Sequence, residues 1–395
     1  MNKYKNVYIM YAIMFLQGFV FYGPVATLFR QARGISMSEI LFIEAISWIG
    51  MILLEVPWGW IADRIGYKKV LIIVNGLFFI SKIVFHFANS FSLFLVERLM
   101  LSVIISGLSG CDQALIYQSI ERKDAQHVFA KYSFFGTLGF VLASVLSSIM
   151  VQESLALTSW STIFPYLLAF IITFFLVDVP RDEQDKVNVT ASVKEAFSKK
   201  HMIYFVIAIA MFVEVGQVIT VFLNQLKYIE IGLLPASFGI IVLMIQVIRL
   251  FAPKTVRITH SLGSKKTLIG IGSIITLSSL MLALTNNEFS AIAFVGIIAF
   301  VGAVLVPIEQ KIKNEAISDK NRATCLSIYS MLGGLFAAVG NVAIGKITDS
   351  ISLEAGLIAC AMMALSGVVL IMIYLNREQA ELRRGLNNVE ASRNN

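Results

Sequence analysis

The chain has 395 residues, of which 57% are hydrophobic and 14% charged, against about 25% charged in an ordinary soluble chain. Its net charge of +7, from 32 basic against 25 acidic residues, does not call for nucleic acid, because membrane proteins gather basic residues in their cytoplasmic loops. A mean hydropathy of +0.78 excludes a soluble globular domain and points to an all-α membrane protein with many spans.

The first stretch, "MNKYKNVYIMYAIMFLQGF", is basic and then apolar as a signal peptide is, but its apolar run outlasts an h-region and lacks a clear A-x-A site. It is read as the first span. A helix needs about 20 apolar residues to cross the hydrocarbon core, and that length fits twelve times: 7–29, 38–60, 70–88, 91–112, 128–151, 159–177, 201–223, 235–252, 267–284, 289–307, 323–344 and 353–375. Stretches this long are not the short alternating strands of a barrel, and unpaired backbone is too costly in lipid for anything but helices.

Basic residues set the orientation. With both termini cytoplasmic, the inner segments hold Lys3, Lys5, Arg64, Lys68, Lys69, Arg122, Lys123, Lys131 and many more, while the outer loops hold only Arg30, Arg33, Lys227 and Lys346. The longest inner connection, Asp178 to His201, is polar and divides the chain into a six-helix bundle over 1–178, a linker over 179–200, a second bundle over 201–376 and a tail over 377–395. A short amphipathic piece around Val193 to Phe197 is expected on the inner membrane face.

The halves are copies in a register of 197 residues: Gly66, Lys68, Lys69, Leu71 and Ile72 fall on Gly263, Lys265, Lys266, Leu268 and Ile269, and Asp112 on Glu309. Asn89, Gln113, Tyr132, Ser133 and Gly136 likewise meet Asn286, Gln310, Tyr329, Ser330 and Gly333. Such a parallel repeat implies two similar six-helix bundles related by a pseudo-two-fold axis along the membrane normal.

Between the second and third spans stands "GWIADRIGYKK", Gly59 to Lys69, preceded by "EVP", Glu55 to Pro57. It resembles the G-x-L-A-D-R-x-G-R-K signature of the major facilitator superfamily, matched at Gly59, Ala62, Asp63, Arg64 and Gly66, with Tyr67 in place of the usual basic residue and Lys68 and Lys69 behind it. The second copy has His260 and Ser261 where Asp63 and Arg64 stand. Physically, the glycines permit a tight turn, Asp63 meets exposed amides or a helix N-terminus, and the cations anchor at anionic headgroups; a merely basic inner loop is the bland alternative. The resemblance implies that this loop holds the cytoplasmic side closed against an acid low on the fourth span, the place of Asp112, and that the bundles rock around a central cavity lined by spans 1, 4, 7 and 10.

On the fourth span Arg98, Ser102, Ile105, Ser109 and Asp112 recur at helical spacing on one stripe. Asp112 lies near the inner boundary, as a gate residue or simply an interfacial aspartate, and Arg98 inside the outer one, as a cavity cation or a snorkelling arginine. Charges near mid-membrane cost about 2.5 to 3.5 kcal/mol each, so Glu214 on the seventh span is the leading proton-coupling candidate, with Gln217 a turn outward and Gln17 its counterpart on the first span; a glutamate held permanently protonated between helices is the alternative. Glu44 and Glu55 share a stripe of the second span with Trp48 and Met51, and Arg249 stands a turn from Gln246 on the eighth. Lys82 and His86 are expected to point toward the outer interface. Met10, Met14, Gln17 and Phe21 form either an adaptable cavity lining or ordinary packing.

Cys111, Cys325 and Cys360 show no ligand spacing and are read as packing residues, with no metal. No phosphate loop, H-E-x-x-H or G-x-S-x-G elbow occurs, so no catalysis and no cofactor are expected, and energy is expected from an ion gradient, a proton gradient first, or from the substrate itself. The expectation is a monomeric secondary transporter in the cytoplasmic membrane whose partners are lipid, protons and a small amphipathic molecule. Proton-coupled export of a drug or metabolite leads, although family exporters carry a G-P pair on the fifth span and "FFGTLGFVLASVLSSIM" has no proline. Proton-coupled import of a nutrient is the alternative, and a non-transporting receptor the remote third.

Overall fold

The computed structural model describes residues 4–179, 197, 200–317 and 322–393, with side chains at 55–56, 59–60, 63, 200, 256–258, 260, 322–324 and 382–393 left out. The linker expected over 179–200, the amphipathic piece at 193–197 apart from Phe197, and the side chains of Glu55, Asp63 and His260 therefore lie outside the described residues. Fifteen α-helices are described: α1 Lys5–Gln17, α2 Ala26–Gln31, α3 Met37–Ile65, α4 Tyr67–Phe87, α5 Phe91–Leu108, α6 Cys111–Gln118, α7 Ala125–Glu153, α8 Leu155–Thr173, α9 Lys200–Gln217, α10 Asn224–Glu230, α11 Phe238–Arg249, α12 Val256–Leu284, α13 Glu288–Ala316, α14 Arg322–Ser350 and α15 Leu353–Arg393. No strand occurs among the described residues.

Among the described residues, eleven stretches are long and apolar enough to cross a membrane. The twelfth expected span, the first, is present in two pieces. After α1 the chain turns through Gly18 to Tyr22, makes a tight 3-10 turn at Gly23–Val25 around Pro24, and resumes as α2. The fourth expected span is also divided, between α5 and α6, by Gly110 at φ +82°. Apolar length alone carries no mark of such breaks. Elsewhere local chemistry sets the ends. Ser36 and Glu39 form a reciprocal capping box at the start of α3, with N–H to oxygen distances of 3.2 and 2.8 Å. The repeat-related Gly66 and Gly263 both take a left-handed φ, +92° and +77°, with ψ near 150°. A side chain would strain that backbone, which is why both motif copies keep this glycine.

The chain forms two compact units, Met1–Gln184 with Gln225–Gln246, and Asp185–Asn224 with Val247–Asn395. In the first, α1 packs on α7 and α8, and α4 on α5 and α8. In the second, α9 packs on α14 and α15, and α12 on α13 and α15. Under the 197-residue register these are the same neighbours, so the repeat in sequence is a repeat in packing. Contact between α1 and α7 rests on missing side chains: a Cβ on Gly18 would press on the Gly136 carbonyl, and one on Gly139 on the Phe15 carbonyl. Small residues let membrane helices approach in this way.

Candidate functional site

The break in the first span frees backbone groups that lipid cannot satisfy, and neighbouring side chains take them up. Tyr166 on α8 donates its hydroxyl to the Gln17 carbonyl at 2.7 Å, and the Phe21 N–H donates to Thr162 Oγ1 at 3.1 Å. Gln225 on α10 receives the N–H groups of Thr27 and Leu28, in the first turn of α2, on Oε1 at 2.9 and 3.3 Å.

Beside this break, within the first unit, lies a cavity of about 310 Å³ whose wall includes Met14, Gln17, Phe78, Asp112, Tyr132 and Tyr166. Asp112 Oδ2 accepts from the Tyr132 hydroxyl at 3.0 Å and Oδ1 from the Gln113 N–H at 2.7 Å. Gln17 donates from Nε2 to Asn75 Oδ1 at 2.6 Å, and Asn75 is fixed by donating to the Leu71 carbonyl at 2.8 Å. The divided fourth span is what aims Asp112 here: the turn at Gly110 sets α6 off from α5, so the expected stripe does not hold. Arg98 and Ser102 face inward, whereas Ile105 is 41% exposed.

A second cluster of buried polarity lies in the same unit. Arg98 is ion-paired with Glu44, and Ser47 and Ser102 share a hydrogen bond of 2.9 Å beside them. Lys82, 3% exposed, donates to the Tyr22 hydroxyl at 3.0 Å and sits 4.8 Å from the ring centroids of Phe78 and Tyr166. This corrects the expectation that Lys82 points outward: the turn after α1 delivers Tyr22 as its partner. His86 is half-buried, with Nδ1 2.8 Å from Ser159 Oγ. Glu97, 1% exposed, acts electrostatically on Tyr22, Arg30, Arg98 and Tyr166. Glu97 was not singled out from the sequence; an acid as the seventh residue of an apolar span was the available signal.

Three of the four cations expected in outer loops prove structural. Arg30 lies buried over the rings of Phe85 and Phe94, Lys227 is buried and paired with Glu230, and Arg33 caps α4 by donating to the carbonyls of His86 and Ala88 at 2.7 and 2.8 Å. Burial also lowers the Arg33 pKa.

In the second unit Glu214, 1% exposed on α9, acts electrostatically on Cys360 of α15, and Gln217, half-buried, ends the helix. Glu309 pairs with Lys313 along α13. Gln246 is half-buried in the first unit, and Arg249 is exposed in the second. In the motif loop Arg64 and Lys69 are exposed and Lys68 half-buried, while Gly59 falls among the positions whose side-chain environment is not described. All three cysteines are buried.

A family model described as Major Facilitator Superfamily matches residues 7–302 and, in a second alignment, 255–392. The chain belongs to the Major Facilitator Superfamily. Solved members of this fold superimpose over nearly the whole length. The nucleoside transporter NupG has a TM-score of 0.79 at 17% identity, covering 94% of this chain and 99% of that one. A D-xylose-proton symporter has a TM-score of 0.72 at 14% identity, covering 93% and 95%. In sequence, NiaP of Bacillus subtilis (strain 168), whose name assigns it to niacin or nicotinamide transport, is 25% identical over 176 residues, 42% of this chain and 43% of its own. The chain spans less than half the length of the curated relatives it matches.

Proposed function

We propose that this superfamily member is a secondary active transporter that carries a small, amphipathic molecule across the cytoplasmic membrane by alternating access, coupled to protons and, as the first reading, outward. The observation that carries it is the cluster of Glu44, Glu97, Arg98, Arg30 and Lys82 in the same unit as the cavity. Four of these, Glu44, Lys82, Glu97 and Arg98, stand inside long apolar helices and cost about 2.5 to 3.5 kcal/mol each on insertion scales. Such an outlay is retained where charge must be exchanged between protein, proton and cargo.

In this reading the two six-helix bundles, 1–178 and 201–376, rock about a central site with both termini inside. Gln17 and Asp112 belong to the cargo wall of the first, and Glu44 and Glu97 take up or release the proton against Arg98. Glu214, with Gln217 beyond it, does so in the second. Asp63, Arg64, Lys68 and Lys69 hold the inner side shut. Gln246 and Arg249 are further candidates along the path, and the Glu309 pair is the repeat-related counterpart of Asp112. Import is the second reading, favoured by α7, which runs unbroken from Ala125 to Glu153 without the proline of family exporters.

The test is flux in proteoliposomes under an imposed pH gradient, with a solute found by thermal-shift screening. Proton-driven movement that is lost in Glu44→Gln or Glu214→Gln supports the proposal, and its sign chooses between export and import. Flux indifferent to the gradient, or none for any solute bound, ends it.

A further inference from the structure

Resting on that reading, the polar wall of the 310 Å³ cavity narrows the class of cargo. Most hydrogens on this wall are already committed, the second hydrogen of the Gln17 amide being the exception. The Tyr132 hydroxyl points to Asp112, the Tyr166 hydroxyl to the Gln17 carbonyl, and Gln17 Nε2 to Asn75. What faces the space is therefore mostly oxygen: two carboxylate oxygens with spare lone pairs, the Gln17 amide oxygen and two phenolic oxygens. Among the described residues, no Lys, Arg or His lines it. Lys82, the nearest cation, is turned away behind the Phe78 and Tyr166 rings, with its ammonium on Tyr22.

We infer that this wall receives a small planar nitrogen heterocycle, neutral or cationic, that brings N–H or O–H donors, and disfavours its carboxylate analogues. A donor-bearing ring satisfies the oxygens, while an anion meets Asp112 with no counter-charge on the wall and leaves those acceptors dry. Met14, Phe78 and Tyr166 supply a polarisable slot for the ring's faces. Size agrees: at a packing density of about 0.74, 310 Å³ holds roughly 230 Å³ of ligand, the bulk of one or two rings with substituents.

Nicotinamide and nicotinate form a matched pair of probes, nearly equal in shape, the first neutral and the second anionic, with adenosine as a larger neutral probe. Binding to the purified full chain is measured by calorimetry at neutral pH. The expected result is binding of at least one neutral probe and a preference for nicotinamide over nicotinate of about tenfold or more, the scale of one like-charge clash. Asp112→Asn should collapse that ratio and Asp112→Glu should keep it, with thermal melts confirming that both variants fold. Nicotinate bound as well as nicotinamide, a ratio untouched by Asp112→Asn, or no binding of either neutral probe overturns the inference. Gradient-driven flux of an anionic solute in that case leaves the transporter reading standing, whereas absence of all flux removes both.

Discussion

Replacing Glu44 by Met strands Arg98 in the first unit. Glu44 is 4% exposed and the Arg98 side chain 19%, so little water reaches the pair. Breaking a buried pair from one side costs about 3–5 kcal/mol. Arg98 keeps the field of Glu97, which places the expected loss near the lower end, about 3 kcal/mol. At roughly 2–4 °C per kcal/mol for a folding unit of this size, the melting temperature in detergent should fall by about 6–12 °C. Arg98→Met should cost a similar amount by stranding Glu44. The double variant Glu44→Met/Arg98→Met removes both charges and leaves two apolar side chains of fitting volume, an exchange that is often neutral. Its loss should therefore be smaller than the two single losses added, by at least about 1.5 kcal/mol of coupling. Strict additivity would show that the two charges do not stabilise one another, and the account of the cluster would fall with it.

Gly139→Val should lower the melting temperature through overpacking of about 1–3 kcal/mol, since the new side chain enters the Phe15 carbonyl, whereas Gly270→Ala, which opens onto free space, should melt like the parent. Gln225→Ala should leave the Thr27 and Leu28 N–H groups without their acceptor, costing about 1–3 kcal/mol and speeding hydrogen exchange at those two amides; unchanged exchange would discard the capping role. The Tyr4 hydroxyl donates to Asp124 at 2.6 Å, and that bond raises its pKa above the usual 10.0. A raised pKa means the contribution is complete at neutral pH and disappears as pH climbs through the raised value. Tyr4→Phe should accordingly melt below the parent at neutral pH and converge with it in strong alkali; a constant gap across that range would refute the assignment.

How far the sequence reached depended on which features repeat. Twelve apolar runs and a 197-residue register were enough for the fold, because hydrocarbon thickness fixes helix length and duplication fixes neighbours. Gly66 and Gly263 were legible as a required conformation. The breaks after Gln17 and Leu108 were not, since apolar composition is the same on either side of a turn, and with them went the aim of Asp112 and the burial of Lys82. Glu97 has no periodic partner in the sequence to single it out, and Gln225 stands nearly two hundred residues from the amides it caps. Such pairings come from tertiary packing, which leaves no periodic trace.

One irregularity remains to be followed outward. Residues 218–223 form a widened π turn between α9 and α10, and the chain passes from the second unit to the first at Asn224 and Gln225. Moved back by 197, the same interval is 21–26, where the first span breaks around its 3-10 turn. Duplication has thus left an irregular turn at the corresponding interval of both copies, one a break with a tight turn and the other a wide coil. A π turn closes its hydrogen bond one residue later than an α-helix does, so residues 218–223 rotate the faces that α10 presents relative to those of α9.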